Sequence, residues 1–192
     1  MRSAVIATIT AAAALAMGGC TSTQTGEASP TSGGNPALSS SATSGTQAGA
    51  NSLIGLDACT LLADSEAQQA VPGAGSHQDL GDIGGEGVSS CKWSKSAGDD
   101  FTAHTFGTTV RPMQGIKGIV VSPGGQLSDM TTSEGRLAAV LKNNEGKGSC
   151  TISIAVGSGR VDITDQTNGS TDSACSVVSK ISGYVESRLP KT

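Results

Sequence analysis

An α+β domain is predicted, built as an antiparallel β-sheet with an N-terminal helix and a C-terminal helix packed on one face and two disulfides. Three features of the 192-residue chain point to it. Its second half holds successive runs of alternating apolar residues with no regular strand–helix alternation. Its last stretch has helical apolar spacing. Four cysteines, an even number, fall within the folded part of a chain that begins with an export leader. Folding is expected only after residue 53: residues 1–19 read as a lipoprotein signal peptide, 20–53 as a lipidated cysteine with a disordered tether, and 54–192 as a single globular extracytoplasmic domain.

The leader carries one charge, Arg2, then an apolar stretch from Ala4 to Met17, then Gly18, Gly19 and Cys20. That order is the layout of an export signal. A helix of this length reaches only about 21 Å, short of the ~30 Å core of a bilayer. Small residues directly before a cysteine resemble a bacterial lipobox, in which the thiol is alkylated by diacylglycerol and the preceding peptide removed. Met17 departs from the usual Leu, Val or Ile but keeps their bulk. Cleavage after Ala14-Leu15-Ala16 is the alternative and would release an unacylated chain. Five cysteines leave one odd, and acylated Cys20 accounts for it. Residues 21–51 are built almost wholly of Ser, Thr, Gly, Ala and Pro, with Glu27 their only charge. Such a segment cannot bury enough apolar surface to offset chain entropy, and as a flexible coil it spans on the order of 30 Å.

Within the domain, the run from Leu56 to Val71 reads as a helix, with Asp57 or Asp64 as N-cap, an apolar stripe through Leu61, Leu62, Ala67, Ala70 and Val71, and Pro72 as its stop. Residues 73–87, rich in glycine, read as a loop. VSSCKWS places Cys91 and Trp93 on one face of a strand. Residues 101–111 read as a longer strand ending before Pro112, and 113–121 as a short helix weakened by Gly115 and Gly118. Leu137 to Leu141, Cys150 to Val156 and Val161 to Ile163 alternate as three strands, with Gly157-Ser158-Gly159 as a tight hairpin. From Thr171 or Asp172 as N-cap, Ala174, Val177, Val178, Ile181, Tyr184, Val185 and Leu189 recur at helical intervals until Pro190.

Of the three pairings open to the four cysteines, position along these elements favours Cys59–Cys91 and Cys150–Cys175, each joining a helix to a strand. Each bridge then contributes roughly 3.5 kcal/mol by restricting the unfolded chain. No metal site is expected, because there is no C-x-x-C pair and His77 and His104 stand alone in sequence.

Taken in order, LDACTLL, CKWS, FGTTVRPMQGIKGIVV, GSCTISIAVGSGRVDI and DSACSVVSKISGYVESRLP resemble the actinobacterial lipoprotein family catalogued as domain of unknown function 3558. The likeness covers nearly all of residues 56–190, together with the lipobox and its Ser/Thr-rich spacer. It implies a lipoprotein of a Gram-positive cell envelope, acylated at Cys20 with palmitate-type chains. It implies no catalysis, and beyond Cys20 and the four cysteines it transfers no functional residue.

The chain carries a net charge of −4 and no basic run, so no nucleic-acid partner is expected. Four aromatic residues, Trp93, Phe101, Phe106 and Tyr184, are too few for a stacking platform. G-x-S-x-G, G-x-G-x-x-G and P-loop patterns are absent from the sequence. Ser89-Ser90-Cys91-Lys92 satisfies S-x-x-K, but in a strand residues three apart point to opposite faces. His104 lacks a partner that sequence can place, and Asp79, Asp82, Glu86, Asp99 and Asp100 lack the rhythm of a calcium loop. No catalytic residue, cofactor or metal ligand is therefore assigned, and whether the chain is an enzyme stays open. The expected role is a binding or interaction module, lipid-anchored on the extracytoplasmic face of the cell membrane, that holds a small apolar ligand, wall component or envelope protein. An extracytoplasmic hydrolase acting on envelope material is the alternative.

The expected mature chain begins at diacylated Cys20. Intact-mass analysis of the membrane-extracted protein checks this, and an unmodified chain starting at Met17 would refute it.

Overall fold

The computed structural model describes residues 52–99 and 101–191. The leader and Cys20, and the tether as far as residue 51, lie outside the described residues. A 3-10 turn over Ala58–Thr60 leads into α1 (Asp64–Ala70), followed by β1 (Gln78–Gly81), β2 (Ser89–Lys95) and β3 (His104–Arg111). After a second 3-10 turn at Ile116–Gly118 come β4 (Gln126–Thr131), β5 (Leu137–Lys142), β6 (Ser149–Val156), β7 (Gly159–Thr167) and α2 (Thr171–Glu186). The seven strands form one antiparallel sheet in the order β1-β2-β3-β7-β6-β5-β4. Two meanders, β1 to β3 and β4 to β7, thus meet at the β3–β7 pairing, which runs from His104 opposite Thr167 to Arg111 opposite Arg160.

Register determines which side chains share a face. Cys91 and Trp93 lie opposite Thr108 and Phe106, Thr108 and Val110 opposite Ile163 and Val161, and those opposite Ile152 and Ile154. This row forms the sheet's share of the core, joined by Leu53, Ala58, Leu61, Leu62, Ala67 and the α2 stripe. Trp93 and Phe106 stack across strands at 6.1 Å, and the indole N–H is satisfied by Asp64 Oδ1 at 2.8 Å. The disulfides Cys59–Cys91 and Cys150–Cys175 bind the first 3-10 turn to β2 and α2 to β6, with Cα separations of 5.0 and 5.1 Å.

The Leu56–Val71 helix is broken in two. Asp57 caps the 3-10 turn by accepting the Cys59 N–H, while the buried pair Leu61 and Leu62 turns the chain so that α1 starts afresh at Asp64. There the backbone N–H of Ala63 donates to the Glu66 carboxylate. Residues 78–81, expected as loop, pair with β2 as an edge strand with a bulge between Asp79 and Gly81. β3 starts at His104, because Phe101 has φ +54 and the chain is still turning there. The 113–121 segment makes only one 3-10 turn, as its two glycines would suggest. β4 was not expected at all: nearly every residue in it is exposed, so it lacks the one-sided apolar signature. α2 is capped one residue before Thr171, the earlier of the two expected N-caps, by Ser170 Oγ accepting from the Ser173 N–H, and it ends at Glu186 before Leu189.

The far end of α2 is latched to the β4–β5 turn. Glu186, buried, accepts the hydroxyls of Thr132 and Ser133, and Arg136 Nη2 donates to the Pro190 carbonyl at 2.9 Å. Among the described residues no helix is long and apolar enough to cross a membrane.

Ile181 in α2 is fully buried, so Ile181→Ala should cost ~2–5 kcal/mol. Cys175→Ala should cost about 3.5 kcal/mol through the unfolded chain, from the 25-residue separation it closes. Thermal and denaturant unfolding of the two variants checks both, and wild-type stability for Ile181→Ala would remove α2 from the core.

Candidate functional site

The second face of the sheet is polar. Thr105, Gly107, Thr109 and Arg111 of β3 lie opposite Gln166, Thr164, Asp162 and Arg160 of β7. Thr164 and Asp162 in turn face Thr151 and Ser153 of β6. Hydroxyls pair along this floor: Thr151 with Thr164 at 3.0 Å, and Ser90 with Thr109 at 3.3 Å.

Topology brings a second wall over it. β3 sits in the middle of the sheet and β4 at its edge, so the connection 112–125 must cross four strand spacings, roughly 19 Å sideways. It is pinned near both ends. Arg160 Nη1 donates to the carbonyls of Gln114 and Gly115 at 3.3 and 3.0 Å, and the Ser122 N–H donates to Asn144 Oδ1 at 2.6 Å. Its first residues press on the β6–β7 hairpin so closely that a Cβ at Gly159 would lie 2.6 Å from the carbonyl oxygens of Arg111 and Pro112. Between the pins, Ile119 and Val120 form the apolar wall of a cleft of about 440 Å³ whose floor includes Thr151, Ser153, Asp162 and Thr164. A neighbouring hollow of about 240 Å³ runs toward Lys92 and Gln166, and Thr109, Arg111, Glu145 and Thr164 line both.

Asp162 organises the charges. Its Oδ2 accepts Arg111 Nε at 2.7 Å, and its Oδ1 accepts Arg160 Nε at 2.8 Å and Ser153 Oγ at 2.6 Å. One carboxylate thereby fixes two guanidinium planes through charge-assisted bonds. Arg160 spends its Nη1 on the crossing segment, whereas the terminal amino groups of Arg111 make no hydrogen bond among the described residues. A fork held in place by its Nε, with its outer donors unspent, is suited to receive a carboxylate or phosphate.

The residues weighed in the sequence lie elsewhere. His104 faces the core, where its Nδ1 meets Asp165 Oδ2 at 2.9 Å. Burial pushes the Asp165 carboxyl above its ordinary value, against the opposing hydrogen bond from His104, and its Oδ1 has no partner. Register sets Cys150, already bridged, opposite Asp165, and Lys95 and Thr167 opposite His104. This buried pair lines neither cleft. Ser89 Oγ accepts the Ala58 N–H, while Lys92 lies on the other face, so S-x-x-K is not assembled. Asp79 accepts its own Gly81 N–H, Asp100 lies outside the described residues, and no group of three or more His, Cys, Asp or Glu among the described residues could hold a metal.

His77, on the surface, gives both its ring Nδ1 and its backbone N–H to Asp64 Oδ1, the oxygen that also receives Trp93. This cluster ties residues 76–78 to the start of α1 and lines neither cleft. The members of the cleft escaped sequence reasoning because Arg111 and Asp162 meet only through β3–β7 pairing. The one available signal was Arg160 and Asp162, two apart in a strand and therefore on one face.

A family model described as "Protein of unknown function (DUF3558)" matches residues 15–188. No curated protein and no solved structure matches the chain.

The Asp64 cluster sets an acid dependence. Hydrogen bonds from the His77 ring, then the Trp93 indole, then the His77 backbone lower its carboxyl from 3.8 to about 2. Ionised Asp64 therefore stabilises the fold above pH 3.8, and that contribution is lost as pH falls through about 2. Asp64→Asn should lower stability at neutral pH and flatten the acid limb of unfolding, followed by fluorescence of Trp93, the sole tryptophan. An unchanged acid limb would contradict this assignment.

Proposed function

Because the chain belongs to the family described as protein of unknown function DUF3558, whose description carries no activity, we propose its role from the sequence leader and the cleft. It is an actinobacterial cell-envelope lipoprotein, held on the extracytoplasmic face of the membrane through acylated Cys20, and its domain is a non-catalytic binding module. Both helices pack on one face of the sheet in this reading, supported by the shared face of Cys91 and Cys150, from which the two disulfides leave, and by the contacts of α2 with β6 and β7. The other face is left for ligand.

The single observation that carries the reading is the Arg111–Asp162–Arg160 cluster beside a hydroxyl floor and beneath Ile119 and Val120. Among the partners expected from sequence, this cleft suits a small ligand or wall component that carries an anionic group for Arg111 and an apolar part for the crossing segment. A hydrolase gains no support, since the hydroxyl of Ser89 is committed to Ala58 and His104 is buried against Asp165.

Native mass spectrometry of acylated protein extracted from its own membranes is the test. A non-covalent adduct is expected on the wild-type chain. Arg111→Ala removes donors to a charged group, worth about 1.5–3 kcal/mol, so affinity should fall roughly 10- to 100-fold and the adduct should shrink accordingly. Absence of any adduct, or an adduct indifferent to Arg111→Ala, would overturn the assignment.

A further inference from the structure

One end of the sheet gathers exposed apolar side chains where the chain enters the domain. At the end defined by Arg111 and Arg160, Met113 follows β3 and is 69% exposed, and Leu137 opens β5 and is 73% exposed. Register puts Leu137 at this end, because the next residue, Ala138, pairs with Ile154 near the close of β6. Ile83, exposed, lies just beyond Gly81, which faces Ser90 at the start of β2. Ile54, also exposed, lines a hollow of about 340 Å³ with Glu86, Gly87, Pro112 and Met113. At the opposite end the turns Asn143-Asn144-Glu145 and Asn168-Gly169-Ser170 are polar, while Phe101 and, where the crossing segment is pinned to Asn144, Val121 are exposed apolar side chains.

Ile54 also marks where the chain enters the domain. Thirty-three residues lie between Cys20 and Ile54 in the sequence. On the lipoprotein reading, the segment that carries the lipid joins the domain at the end that displays these side chains. Formal charges at this end nearly cancel, with Asp82, Glu86, Glu134 and Asp162 against Arg111, Lys117, Arg136, Arg160 and Lys191, so most of the attraction to the surface has to come from apolar contact. We infer that the Ile54–Ile83–Met113–Leu137 end of the domain rests on the lipid bilayer, in the interfacial layer next to its own anchor. The inference rests on the lipoprotein reading for its geometry. Acyl chains alone would not fix which side of the domain is turned toward the membrane. A second, shallow contact fixes its orientation and brings the mouth of the Arg111 cleft close to the headgroups.

The experiment uses the full acylated chain in phosphatidylcholine vesicles, with Met113→Cys, Leu137→Cys and Phe101→Cys each carrying a polarity-sensitive fluorophore. Probes at 113 and 137 should shift to the blue and be quenched by brominated lipid, and the probe at 101 should do neither. Probes at 113 and 137 that behave like the one at 101 would overturn the inference. So would a blue shift that brominated lipid leaves unquenched and that grows with protein density, since that marks contact with a second copy. The N-terminal mass of the same sample is read separately. Acylated protein that floats with vesicles while position 113 stays in water defeats the bilayer contact and leaves the lipoprotein reading standing. Unacylated protein defeats that reading, and the same probes on the unacylated chain with excess vesicles still decide whether this end partitions into lipid.

Discussion

The β3–β7 pairing is the constraint from which the rest of the molecule follows. It joins two meanders that are each local in sequence, and it does so in the middle of the sheet. β4 is thereby sent to the far edge, and the chain has to travel from the centre to that edge across a face. One face of the sheet carries the buried residues of the hydrophobic core. The crossing therefore falls on the other, and a polar sheet surface acquires an apolar wall without any insertion into the fold. The cleft is a by-product of strand order before it is a product of side-chain chemistry.

Asp162 shows how closely the two are coupled. It sits on β7, pairs with Arg111 of β3 across the junction, and through Arg160 fixes the first turn of the crossing segment. Removing one partner from such a cluster leaves a half-buried charge uncompensated, which costs more than the net worth of the interaction it made. The same side chains thus serve register, the path of the connection and the charge presented to the cleft. Stability and binding cannot be varied independently at Asp162, whereas the outer donors of Arg111 carry no structural bond.

What the sequence disclosed follows from how each element is buried. β5, β6 and α2 were legible because each presents apolar residues at the period of its own geometry, and the two disulfides were legible from an even cysteine count. β1 and β4 were silent because edge strands exposed on both sides have no alternation to read. β7 extends beyond Val161–Ile163 because Asp162, Asp165 and Thr167 are buried polar residues that Arg111, His104 and the Ala103 carbonyl help to make tolerable there. Those partners are 51 to 64 residues away, beyond any local pattern. The N-terminal helix was read as continuous because Asp57 and Asp64 both look like caps. In the fold they do different work, one capping a 3-10 turn and the other receiving Trp93 and His77.

Each disulfide lies wholly within one meander and the elements flanking it: residues 59 and 91 in the first, 150 and 175 in the second. Neither covalent loop encloses the other, and no cross-link spans the β3–β7 seam. For a chain delivered N-terminus first, the earlier bridge can close while the later cysteines are still in transit, and neither Cys150 nor Cys175 competes with it during that interval. Oxidation can thus proceed in step with delivery, with no need for reshuffling. The seam, lacking any covalent tie, is also where a pulling force on the domain would part it into two separately cross-linked halves.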